Sequence, residues 1–255
     1  MTLSDLISLK GLVTVSSIVA VTIKSLHVTW NVNKKNVHVN GNNNTVNVVY
    51  NEVLAKTQKN FSLLWNLSAV AIFLTYPLLG SAYNFSLEVL AFVGVPIALV
   101  ALVSHCVRYG VARRIWHLFY VIGAAAACLL AWVATPFLDY TANQAAPVYA
   151  HVVTTVDLFS RSANLFDIVL FVSKNIGYPM IAVMGFSLLF LSVIYLVFAF
   201  IKERDFNDAL RFSVSQVGMG AAGYILACNF FIAMCSQNFA YVKAILVAPF
   251  RPFLN

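Results

Sequence analysis

The sequence predicts an α-helical integral membrane protein, with about five transmembrane helices preceded by a small N-terminal β-module. Three observations carry that prediction. Of 255 residues, 61% are hydrophobic and only 10% charged, with a mean hydropathy of +0.83, whereas a soluble domain holds roughly half apolar and about a quarter charged residues. The apolar residues gather in runs close to the ~20 residues with which an α-helix crosses the hydrocarbon of a bilayer. Ahead of those runs, the first fifty residues alternate apolar and polar positions with the period of two that marks strands. The boundary falls at residue 51, with residues 1–51 a β-rich assembly module and 52–255 a transmembrane domain.

Within the module, Val13, Val15, Val19, Val21 and Ile23 alternate with Thr14, Ser16 and Thr22. The phase then flips, and Leu26, Val28, Trp30 and Val32 alternate with His27, Thr29, Asn31 and Asn33. Val37/Val39 and Val46/Val48/Tyr50 flank the turn Asn40-Gly41-Asn42-Asn43-Asn44, whose Asn-Gly pair supplies the positive φ of a tight turn. A competing assignment makes residues 6–23 a transmembrane helix. Only thirteen residues separate Lys10 from Lys24, and eight of them are β-branched, so strands fit better. About forty residues of strand bury too little surface to stand alone. The module must dock on the membrane domain or pair with copies of itself, and stacked asparagines can form ladders between chains. Val37, Val39, Asn42, Asn44, Val46 and Val48 are therefore expected to hold a homo-oligomer together as a shared cytoplasmic ring.

From Glu52 the pattern turns helical, with Asn51 suited to cap the first helix. The expected spans cover about 61–80, 87–105 (kinked at Pro96), 115–135, 179–201 and 212–235. Between the third and fourth lies a segment, 145–175, in which Val148, Val152, Val153, Val156 and Phe159 recur at helical spacing and Asp157/Arg161 form an i,i+4 pair. Its charges (Asp157, Arg161, Asp167) argue against a sixth crossing, so it is expected to lie as an amphipathic helix on the outer interface. Whether it or residues 6–23 cross stays open. The tail after 236 carries only a short apolar run, Ala244–Phe250, which is too short to cross.

The net charge of +7 invites a nucleic-acid reading. Its distribution excludes one: the basic residues stand at the ends of apolar runs and none of their own runs exceeds two, the arrangement of topology signals. A cytoplasmic N-terminus puts twelve of the sixteen basic residues inside and leaves Arg161, Lys174, Lys243 and Arg251 outside. The expectation is a multi-pass protein of the inner (plasma) membrane, N-terminus cytoplasmic and C-terminus outside. Asp5 interrupts the n-region that a cleavable signal peptide would need.

Catalytic chemistry is not indicated. There is no HExxH, GxSxG or P-loop, and neither a cofactor nor a metal site is expected. Cys106, Cys128, Cys228 and Cys235 form no CxxC pair and suit buried packing. His151, Asp157 and Asp167 share the outer segment without a fourth ligand, and the five histidines lie far apart along the chain. Gly218, Gly220 and Gly223 spell GxGxxG, but mid-span and without a preceding strand, so the dinucleotide context fails. Gln216, Gly220, Gly223 and Ala227 instead share one face of the fifth span, where small residues let another helix approach. Polar groups in or near the spans (Asn66, Gln216, Asn229, Glu88, His105, His117) need a partner or water. Two roles are open: glue between helices, or a pore lined by Asn66 and Asn229. Arg108, Arg113 and Arg114 set topology or line an inner vestibule that attracts anions.

The stretch NVHVNGNNNTVNVVYN, residues 36–51, resembles short Asn/Gly-rich β-segments of small bacterial membrane proteins, some of them in anti-phage defence loci. The need of the small module for copies of itself points to a homo-oligomeric membrane effector or channel-like protein that alters permeability, and the resemblance implies a role in anti-phage defence. Its partners would be the lipid bilayer and itself. The alternative is a non-conducting anchor that recruits a soluble cytoplasmic protein through the β-module.

Overall fold

The computed structural model describes residues 43–109, 115–160, 164–201 and 206–254, with the side chains of 43–66 and of a few residues at segment ends outside the description. Among the described residues there is no strand. Nine helices are joined by short 3₁₀ and π turns. They are α1 (Asn43–Tyr109), α2 (Leu118–Ala145), α3 (Val148–Ser160), α4 (Leu165–Val172), α5 (Tyr178–Val197), α6 (Phe206–Ala227), α7 (Phe230–Cys235), α8 (Phe239–Val247) and α9 (Arg251–Leu254). Among the described residues, three stretches are long and apolar enough to cross a membrane, namely Leu67–Val107, Leu118–Ser160 and Leu165–Val197.

Two sequence expectations change here. The β-module is not supported where it can be seen: Asn44, Val46 and Val48 lie in the first turns of α1, and Asn51 is inside that helix rather than at its cap. The alternation at Val46/Val48/Tyr50 is three positions long, and valine's deficit in a helix is only a few tenths of a kcal/mol. Continuity with a long apolar helix overrides so short a pattern. Val37, Val39 and Asn42, with the earlier strands, fall outside the described residues. The second change concerns the first two spans, which are two helical segments that meet at a kink at Leu79 and continue in the same direction, with no loop between them. Residues 81–86 form no turn, and α1 passes through them with a single non-helical residue, Leu79 (φ −123°, ψ 23°), two positions after Pro77. A proline removes one backbone hydrogen bond and crowds the preceding turn, which kinks a helix without ending it.

The packing follows an up-down-up-down order. α1 and α2 run antiparallel: Gly80 stands beside Ala142, Gly94 beside Cys128, and the Tyr149 hydroxyl donates to the Leu74 carbonyl further along. α5 lies antiparallel to α6, with Gly185 against Ala227 and Gly220 against Ser192. α2 and α5 each touch the other three members, while α1 and α6 lie on opposite flanks. The core is filled by Tyr76, Tyr120, Phe186, Phe200, Leu138 and Leu189, all fully buried.

This bundle is made by α1 from Gly80 onward together with α2, α5 and α6. Beyond it, the first part of the apolar stretch of α1 (67–79) still packs on α5 through Tyr76, which rests against Phe186, while its other faces, with α3 and α4, form a thinner extension. The segment expected as one outer amphipathic helix is thus the end of α2, then α3, α4 and a π turn over Ser173–Gly177. The fifth span also divides: α6 ends at Ala227, and Asn229 adopts a left-handed conformation (φ 59°) before α7. Asparagine tolerates that region better than most residues, and the sequence carries no glycine or proline there to announce the break.

Candidate functional site: a polar belt on an apolar bundle

Polar groups of an apolar helix must find partners within the protein, and most of those described do so locally. Thr75, Ser86, Thr154 and Thr155 each donate to the carbonyl four residues earlier, at 2.6–3.0 Å. Ser192 donates instead to the Gln216 carbonyl of α6, 2.7 Å away.

A second set converges where the bundle meets the extension. The buried Tyr76 hydroxyl donates to Asn84 Oδ1 at 2.8 Å, and Asn84 Nδ2 reaches Asp139 Oδ1 at 3.4 Å. Thr75 and Tyr83 share a 2.7 Å bond, and Gln144 donates to the Tyr140 hydroxyl. Glu88 lies one helical turn from Asn84, on the same side of α1, and is exposed, as are Ser81, Asp139 and Asn143. Together these residues form a belt around the α1–α2 face. Nearby, Asn229 Nδ2 donates to Thr141 Oγ1 (2.5 Å), which donates to the Ala227 carbonyl (2.7 Å). This ties the break after α6 to α2. A cavity of about 170 Å³ lies beside that break, between the start of α5 and α7, with Tyr178, Ile181, Asn229 and Cys235 in its lining.

The opposite end of the bundle holds an aromatic cluster. His105 and His117 are buried with ring centroids 5.2 Å apart, and Tyr120 and Phe200 close around them at 5.2–5.9 Å. Distance along the chain was misleading for this pair: both flank the same connection of an antiparallel hairpin, which brings them together. Among the described residues no three side chains are grouped to hold a metal.

The residues singled out from sequence are distributed as follows. Gly220 and Gly223 face α5. A Cβ at Gly220 would sit 2.7 Å from Ser192 Oγ, and one at Gly223 would sit 2.5 Å from the Leu189 nitrogen. Ala227 is buried on the same side, Gln216 is half-buried, and Gly218 looks into open space. Asn229 is buried, bonded to Thr141 and in the lining of the cavity beside the break. Asn66 and Arg108 lie on α1 with side chains outside the description, and Arg113 and Arg114 belong to the connection 110–114, also outside it. Sequence reasoning treated Glu88 only as a span-end residue and passed over Asn84, Asp139 and Thr141. The signal for them was a cluster of polar residues at 81–88 and again at 139–144, interrupting otherwise apolar stretches at matching heights of a hairpin.

The arrangement defines a helical protein with three membrane-compatible apolar stretches among the described residues. No protein family, curated protein or solved structure matches the chain.

Proposed function

We propose that the chain is a homo-oligomeric membrane effector in which several copies together alter the permeability of a bacterial plasma membrane. The observation that supports this reading is the contrast between inside and outside. The protomer's interior is sealed by Tyr76, Tyr120, Phe186 and Leu189, while the carboxylates Glu88 and Asp139 face outward. A water path is therefore better accommodated between copies than through one. Rings of carboxylates at a pore mouth favour cations.

In this proposal the two connections that carry Arg113, Arg114, Lys202 and Arg204 are cytoplasmic, in keeping with the positive-inside bias. They join α1 to α2 and α5 to α6 at one end of the bundle, opposite the belt. Because α1 is continuous through 81–86, the helix before Leu67 then starts on the side away from those connections. That reverses the N-terminal orientation expected from sequence.

The test is ion flux through liposomes carrying pure protein. Flux should rise more steeply than linearly with protein density, and the double substitution Glu88→Gln/Asp139→Asn should reduce preference for cations over anions by several-fold. The same sealed interior favours a second reading, a non-conducting anchor. Absence of flux at every density, together with capture of a defined soluble protein, would establish the anchor instead.

A further inference from the structure

The apolar exterior of this protein is longer than a bilayer is thick, and the excess falls on the extension. The apolar stretch of α1 covers 41 residues, Leu67–Val107, which is about 60 Å at the rise of an α-helix and twice the roughly 30 Å of hydrocarbon in a bilayer. The belt divides that length. From Glu88 to Val107 α1 rises about 30 Å, and α2 rises about as much from Leu118 to Leu138. The bundle alone is long enough to fill the hydrocarbon, and placing it there puts the exposed carboxylates Glu88 and Asp139 at the lipid boundary, where charged groups cost least.

Beyond the belt there is no second hydrocarbon layer, yet the extension still exposes large apolar side chains on all three of its helices. Leu78 (71%), Val153 and Val156 (64% each), Phe159 (57%), Phe166 (70%) and Leu170 (58%) are among them. Their combined area, on the order of 1,000 Å² for the whole extension, exceeds the roughly 300–600 Å² patch that a monomer shows to water. It matches the ~800 Å² that each partner buries in a stable interface. Adsorption onto the lipid surface fits poorly. A helix lying on a membrane carries a strongly basic polar face, whereas here the two basic residues of the segment, Arg161 and Lys174, lie outside α3 and α4 and only balance Asp157 and Asp167.

We propose that the extension is the self-association surface of the protein, covered by the extensions of neighbouring copies. Copies inserted in one membrane share orientation and depth, so extension meets extension at the same height. The bundle surfaces below the belt are left to lipid. The inference rests on the homo-oligomeric reading and adds which surface holds the copies together.

Disulfide trapping in native membranes tests it. The background carries Cys106→Ser and Cys235→Ser, the two cysteines that are not buried. Val153→Cys and Phe166→Cys probe the extension, while Val103→Cys and Ile122→Cys, similarly exposed on the bundle, serve as comparison. Under copper phenanthroline, with each rate divided by that site's rate of alkylation by a membrane-permeant maleimide so that the slower chemistry of a thiol in lipid cancels, the extension sites should give covalent dimers at least five-fold faster than the bundle sites. Equal or faster trapping at the bundle sites, with an oligomeric mass in lipid nanodiscs, overturns the inference and leaves the homo-oligomeric reading intact. A monomeric mass at every protein density removes both. The double substitution Val153→Asp/Phe166→Asp adds an independent measure: mass should fall to that of a monomer with the bundle's melting temperature unchanged. An unchanged mass in that variant also counts against the surface.

Discussion

The bundle and the extension are built from equally apolar sequence, and they differ in how that sequence is spent. In the bundle, small residues bring helices together. Gly185, Gly220 and Gly223 put the backbones of α5 and α6 in direct contact, and Ala124, Ala127, Ala131 and Ala134 are buried along α2. Large side chains then fill the remaining space from three directions. In the extension the residues are large and β-branched on every face, so α3 meets its neighbours through little more than Val148 and α4 through Ile168. Apolar composition alone does not make a core; alternation of small and large residues on a facing surface does. One region is complete as a protomer and the other is not.

The sharpest way to break this comparison is to enlarge a residue where the bundle has no space. Gly223→Leu would bring side-chain atoms onto the α5 backbone, whose Leu189 nitrogen is already 2.5 Å from the position of an added Cβ. Overpacking of this kind costs about 1–3 kcal/mol when neighbours can move, and more when backbone must. The expected outcome is loss of the cooperative melting transition in detergent. Leu78→Ala in the extension, at 71% exposure, should leave the protomer's transition within the ~0.5 kcal/mol typical of surface changes. Similar losses in both variants would mean that the extension is as integral to the protomer as the bundle.

A smaller effect is expected at the junction of the two regions. Asn229→Ala loses the bond to Thr141 and places alanine at φ 59°, a conformation that costs an ordinary L-residue roughly 1–2 kcal/mol. Asn229→Gly loses the same bond but keeps the backbone freedom. The glycine variant should therefore retain more stability than the alanine variant in thermal melts. Equal losses in the two variants would show that the hydrogen bond, not the backbone, fixes the break after α6.

Much of the helical domain was legible in the sequence, and what was not has physical causes. The fourth expected span, 179–201, closely matches α5 with its following 3₁₀ turn, because that run is uninterrupted and starts at a proline suited to a first helical turn. The third was expected to end at 135, about one membrane-crossing length from its start, yet α2 runs past Pro136 to Ala145. Inside a hairpin a proline can be accommodated as a kink, and Asp139 is partnered by Asn84 of the facing helix. The polar residues at 81–88 also misled, suggesting a turn where the chain builds a belt instead. The N-terminal alternation failed at Val46 and Val48 because three positions of period two carry little weight against a helix of 67 residues. Of the candidate site, the packing residues Gly220 and Gly223 were visible as a face. The belt was not, because it depends on two helices being in register.

The GxGxxG run offers the smallest and most discriminating test, since its first and last glycines have opposite surroundings. A Cβ at Gly218 would meet nothing within 4 Å, whereas one at Gly223 would meet backbone atoms of α5 at 2.5–3.0 Å. In an open helical position, alanine in place of glycine lowers the conformational entropy of the unfolded chain and favours the helix by about 0.5–1 kcal/mol. Gly218→Ala should accordingly raise the melting temperature slightly, while Gly223→Ala lowers it, although the chemical change is the same single methyl group. A motif that served a bound dinucleotide would need every one of its glycines, so both changes would then damage the protein alike. Opposite signs in the two melts would tie the motif to helix packing at Gly223 alone. Two losses of similar size would place a partner over Gly218 as well, on a face that the protomer by itself leaves open.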